Sequence, residues 1–203
     1  MPKAQKPTKP AKQQLPHPQA TPYTATAISL HWLIGVLMIG NLLFGWALAH
    51  DYWEAPFSHT LVGWHKSVGV LVLILAATRL TYRMTHNYPG YVPMPNWMRI
   101  AAELNHYALY VLIFWMPLTG YLMSSAGGHP TGFFGLFTLP NFMSFNPDLG
   151  KQLFALHMYG MWAGFFLISL HIAAALYHQL WRKDGTLGRM LPFLRDIGQP
   201  ARR

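Results

Sequence analysis

Cysteine is absent from this 203-residue chain. That excludes disulfides, thiolate-held iron–sulfur clusters and any cofactor attached through a C-x-x-C motif. Acidic residues are scarce as well, six against 15 Lys and Arg, and charged residues of both signs make up only 10% of the chain. Soluble domains carry about a quarter. The deficit has a location: residues 24–50, 67–78, 104–128 and 152–181 hold no Lys, Arg, Asp or Glu. None of these runs has the polar stripe of a helix on a soluble bundle.

A hydrocarbon core of about 30 Å takes about 20 helical residues to cross. All four runs reach that length once Lys66 is allowed to snorkel at the edge of the second. The expected architecture is therefore all-α, an integral membrane four-helix bundle running up-down-up-down, with spans near 24–49, 60–83, 97–125 and 151–181. Thirteen of the 15 basic residues lie before the first span, around the connection between the second and third, or after the last; only Lys66 and Lys151 lie on the other side. The positive-inside rule then puts both termini in the cytoplasm, and the basic excess is a topology signal that calls for no nucleic acid. The outer loop between the third and fourth spans is rich in phenylalanine, which suits the bundle mouth or the lipid interface better than open water. Residues 1–22, rich in Lys, Pro and Gln, read as a disordered tail, and the apolar run after them is too long for a cleavable signal peptide. A helical domain over 23–193 and a basic tail over 194–203 complete the division.

What the spans do contain is histidine. His157 and His171 share the last one, about four helical turns apart. That is about 21 Å along the axis and within about 40° of the same face. His65, near the outer end of the second span, can meet His157 at one level. At a second, inner level His171 can meet either His31 of the first span or His106 of the third. Gly164 lies midway between His157 and His171 on their face, with Gly35 one turn after His31 and Gly69 one turn after His65. Missing side chains there leave room for flat groups. Two layers of facing imidazoles in an apolar bundle suit two haem b groups, which need two axial nitrogens, a wide apolar cleft and no covalent link. A zinc site wants four clustered ligands, and a bundle di-iron site wants carboxylates, of which only Glu103 is near the interior. His106 and His178 read as structural residues or as the lining of a quinone pocket.

Several motifs together carry a family likeness: "SLHW" in the first span, "WHKSVGV" in the second, "NHYALY" with "MPLTGYLMSS" in the third, and "LHIAAALYHQLWRKDGTLGRMLP" in and after the fourth. In this set the chain resembles the bacterial cytochrome b561 family over about residues 22–193. The resemblance implies a multi-pass protein of the bacterial inner membrane with two b haems. It implies that His31 and His171 hold the inner iron and His65 and His157 the outer one, a choice of His31 over His106 that spacing leaves open. It further implies electron transfer linked to the quinone pool, with superoxide oxidation outside and ubiquinone reduction as one specific reaction. On that reading Lys66 and Lys151 would attract an anion or bind haem propionates, and Arg79 would bind the inner ones. The electron donor would be superoxide or an unidentified periplasmic protein. Two other classes fit the composition: the haem-bearing membrane anchor of a dehydrogenase or periplasmic redox partner, and a histidine-lined metal or proton carrier.

Overall fold

The computed structural model describes residues 23–50, 53 and 57–194. The expected N-terminal tail and most of the basic C-terminal tail lie outside the described residues. Four long helices account for most of the rest: α1 (Ala25–Leu48), α2 (Phe57–Thr85), α3 (Asn96–Ala126) and α4 (Pro147–Tyr177). Each is long and apolar enough to cross a membrane. They follow one another as neighbours, α1 on α2, α2 on α3 and α3 on α4, and a smaller contact of α1 with α4 closes the ring. This is the expected four-helix bundle.

Local chemistry sets the helix ends. Thr24 caps α1, its Oγ1 accepting from the Ala27 amide and also meeting the Tyr82 hydroxyl at 2.9 Å. The fourth helix begins at Pro147, one turn ahead of the expected start at Lys151. Asn146 Oδ1 accepts from the Leu149 amide, Pro147 needs no amide partner in the first turn, and Asp148 faces the helix dipole there. Helix α3 runs unbroken through Pro117.

Burial is inverted relative to a soluble bundle. A central cluster of Met38, Leu42, Val72, Leu112, Met116 and Met161 fills the middle. Large side chains such as Val36, Val111 and Phe166 face outward, about two-thirds exposed, as lipid-facing positions should. Gly160 lets α3 approach α4 closely, since a Cβ there would stand 2.7 Å from Met116 Sδ.

Between α3 and α4 the chain forms a small hairpin of β1 (Gly132–Phe133) and β2 (Phe137–Thr138), turned through Phe134 and Gly135 at positive φ. The hairpin sits on the mouth of the bundle, as its phenylalanines suggested. Ser67 Oγ donates towards the Gly63 and Gly132 carbonyls and accepts from the Phe134 amide, fastening it to α2.

At the opposite end α4 loosens into a π turn over His178–Arg182, and Lys183 reverses the chain at φ 51°. Asp184 closes the turn. It accepts from His178 Nδ1 at 2.6 Å, Arg182 Nε at 2.9 Å and Thr186 Oγ1 at 2.6 Å, while Arg182 also donates to the Pro93 carbonyl. The segment beyond lies across the end of the bundle, where Trp32 Nε1 donates to the Met190 carbonyl. His178 is buried in this knot because the turn folds back over it.

Burial pushes the Asp184 carboxyl up, but the hydrogen bonds from Thr186, His178 and Arg182 outweigh it and hold the group below the usual carboxylate range. A depressed carboxyl contributes stability that is fully present above its unfolded value of about 4 and is lost as pH falls through the folded value. Asp184→Asn is therefore expected to loosen the end segment by about 1–3 kcal/mol near neutral pH, and by less in acid. Hydrogen exchange at residues 186–190 reads this directly; equal protection in both proteins at neutral pH would contradict it.

Candidate functional site

The four helices bring histidines together at two depths. Near the hairpin end, His65 of α2 and His157 of α4 face each other with ring centres 6.2 Å apart and planes at 85°. Near the end where α1 begins, His31 of α1 and His171 of α4 stand 6.1 Å apart at 67°. His106 of α3 lies 5.4 Å from the same His171 ring, and the Tyr91 ring lies near-parallel to it with centres 6.5 Å apart. Along α4 the two depths are separated by about 21 Å.

Neighbouring side chains orient the upper pair. Thr119 has one hydroxyl hydrogen, which it gives to the Trp115 carbonyl at 2.8 Å. Its oxygen is thus free to accept from His157 Nδ1 at 3.1 Å, leaving the His157 Nε2 lone pair available. Asn41 Nδ2 donates to the His65 carbonyl at 3.3 Å, tying α1 to α2 beside the ring. His65 Nδ1 and Asn41 Oδ1 are buried without a partner.

Around these rings opens a cavity of about 490 Å³, lined by His65, His157, Asn41, Gly45, Gly69 and Gly120 among others. Cofactor pockets run to about 300–1,000 Å³. Gly45 and Gly120 matter most, because a Cβ on Gly45 would stand 2.7 Å from His65 Cε1 and one on Gly120 would stand 3.2 Å from His157 Cε1. Each ring is seated against the bare backbone of an adjacent helix. A metal held midway between two imidazoles, with bonds of about 2 Å, puts the ring centres roughly 6 Å apart. The spacing of both pairs, the apolar cavity and the unpartnered polar atoms fit a haem b better than they fit packed core.

The other expected residues fall as follows. Gly35 and Gly69 face open space or loose contact. Gly164 does not: a Cβ there would lie 3.3 Å from both Leu42 and Leu112, so leucine fills the gap expected between the two depths. Lys66 lines the upper cavity and donates to Ser124 Oγ at 2.6 Å. Lys151 pairs with Asp148 on the exposed first turn of α4. Arg79 donates to the Ala27 carbonyl at 2.9 Å, near the lower end of α1. Gly45, Gly120, Asn41 and Thr119 were not singled out from sequence. The two glycines did have a signal: each falls about four turns after a histidine of its own helix, His31 or His106.

Residues 22–193 match the family described as prokaryotic cytochrome b561. Among curated relatives, "Cytochrome b561 homolog 2" of Escherichia coli (strain K12) is 34% identical over 176 residues, covering 83% of this chain and 90% of that protein. "Cytochrome b561 homolog 1" of the same strain is 30% identical over 175 residues, covering 84% and 97%. "Probable superoxide oxidase CybB" of Yersinia pestis is 32% identical over 175 residues, covering 84% and 96%. The chain belongs to the prokaryotic cytochrome b561 family, and is a multi-pass, haem b-binding electron-transfer protein of the bacterial inner membrane.

Proposed function

We propose that the protein carries two haem b groups, one between His31 and His171 and one between His65 and His157, and passes electrons from superoxide to ubiquinone. The observation that carries the reading is the pair of facing imidazole couples, 6.1 Å and 6.2 Å apart, at two depths of one bundle. His31 is preferred to His106 because its 6.1 Å to the His171 ring matches the 6.2 Å of the upper couple, whereas His106 stands closer, at 5.4 Å, and lies alongside the Tyr91 ring. The name of the Yersinia pestis relative supports superoxide as the donor.

A bound haem supplies one-electron oxidation and reduction within the apolar core. The protein's residues do the rest. Thr119 and Asn41 hold the upper imidazole couple in register, the glycines keep adjacent helices clear of the rings, and the central leucines and methionines exclude water. Gly35 leaves open space one turn from His31, and Gly69, one turn from His65, is in no more than van der Waals contact with Asn41 and Pro117. Lys66 at the upper level is the group to neutralise propionates there. In the net reaction two superoxide ions give up one electron each and leave as two O2, while one quinone takes two electrons and two protons to become the quinol. With both termini cytoplasmic, Lys66 lies on the periplasmic side, where superoxide arrives. His106 and His178 flank the opposite end, where a quinone would be reduced.

Purified in mild detergent, the protein should show a reduced-minus-oxidised b-type spectrum with two haems per chain. Superoxide should reduce it rapidly, and added ubiquinone should reoxidise it. Lys66→Gln should slow reduction by superoxide several-fold at low salt, with the difference shrinking as salt rises. A single haem would overturn the two-site reading, and a reduction rate untouched by Lys66→Gln would remove the proposed role of that residue.

A further inference from the structure

A second pocket, lined by none of the paired histidines, lies at the end of the bundle where α1 begins and α2 ends. Thr24, Arg79, Tyr82, Arg83, Tyr88 and Tyr110 are among the residues that line it. It holds two guanidinium groups and, among the described residues, no carboxylate pairs with either. Arg79 gives one N–H to the Ala27 carbonyl. Arg83 lies over the Tyr88 ring at 4.2 Å, with the Tyr110 ring at 5.8 Å. A guanidinium stacked on a ring face keeps its N–H donors in plane, pointing past the ring edge. Tyr110 lines the same pocket, and its hydroxyl is buried without a partner. Tyr82, by contrast, is satisfied by Thr24.

Two unpaired positive groups and an orphaned hydroxyl around one space specify an oxyanion. The space, about 60 Å³, is roughly four times what one water requires. That admits a phosphate group and is too small for a quinone ring or a porphyrin. The pocket also sits where two membrane-crossing helices end, on the side that the positive-inside rule makes cytoplasmic, and basic pockets between helix ends on that side favour anionic lipids. We propose that the pocket formed by Arg79, Arg83 and Tyr110 binds the phosphate of an anionic membrane lipid.

The test uses the full chain, delipidated in detergent and then placed in nanodiscs of phosphatidylcholine alone or mixed with phosphatidylglycerol. Lipid retained after re-extraction is measured by native mass spectrometry, with inorganic phosphate added in excess in a parallel arm. The wild-type protein is expected to retain phosphatidylglycerol in preference to phosphatidylcholine. Arg83→Gln should retain about tenfold less. Tyr110→Phe, which removes one donor without opening the fold, should lower retention in the same direction. Haem content should be unchanged in both variants, so the result is independent of how the haems are held. Equal retention of the two lipids, or an Arg83→Gln protein that retains as much as wild type, would overturn the proposal. Displacement of the lipid by inorganic phosphate would overturn the lipid assignment in favour of a soluble anion. Loss of haem from Arg83→Gln would overturn it in favour of a role in holding the cofactor.

Discussion

His171→Ala is expected to leave the purified protein with one haem where the parent has two, and His31→Ala should lose the same one. His65→Ala and His157→Ala should each lose the other. His106→Ala should lose neither. The expectation follows from the separation of the couples: the rings of each pair are within 6.2 Å, while the two levels on α4 are marked by different histidines, His157 and His171. Those levels lie about 21 Å apart, too far for one site to compensate for the other. An iron deprived of one of two imidazoles loses a bond that the apolar wall cannot replace, so occupancy rather than only the spectrum should fall. Haem-to-protein ratio and the reduced-minus-oxidised difference spectrum read both at once. Loss of the inner haem from His106→Ala, with His31→Ala unaffected, would transfer the ligand role to α3.

The second large effect needs no ligand to be removed. Gly45→Ala is expected to lower occupancy of the same haem that His65→Ala loses, by several-fold, with the other haem retained. A methyl group on Gly45 would stand 2.7 Å from His65 Cε1. Carbon atoms do not pack closer than about 3.5 Å without strain, so the ring must swing or the helices must part. Either motion breaks the facing geometry. Gly40→Ala is the matched control on the same helix, since nothing lies within 4 Å of a Cβ there. If both variants keep two haems with unaltered spectra, the seat described for His65 is not a constraint on the cofactor.

These two predictions draw on different kinds of information. The spans could be read from the chain because lipid imposes a long apolar run on any helix that crosses it. The depths of the histidines could be read because rise per residue is constant. A further regularity is open to view in the chain: His31–Gly45, His65–Arg79, His106–Gly120 and His157–His171 are all separated by the same interval, about four turns. Near-integral turns return each helix to one face, so each presents a histidine at one depth and a glycine, arginine or second histidine at the other. That spacing says which residues share a face. It cannot say towards which neighbour the face is turned.

Orientation about each axis belongs to packing between helices, and there the tertiary structure decided. It turned Gly45 onto His65 and Gly120 onto His157, set His31 and His106 at different distances from one His171 ring, and let leucines close over Gly164. It also folded the chain back at Lys183, so that Asp184 meets His178 and the turn buries it. The sequence by itself determined the four spans, the two depths and the kind of cofactor they suit, because those follow from lipid thickness and helical rise. Which side chains meet across the bundle depends on how ridges of one helix settle into grooves of the next, and that is a property of all four helices together.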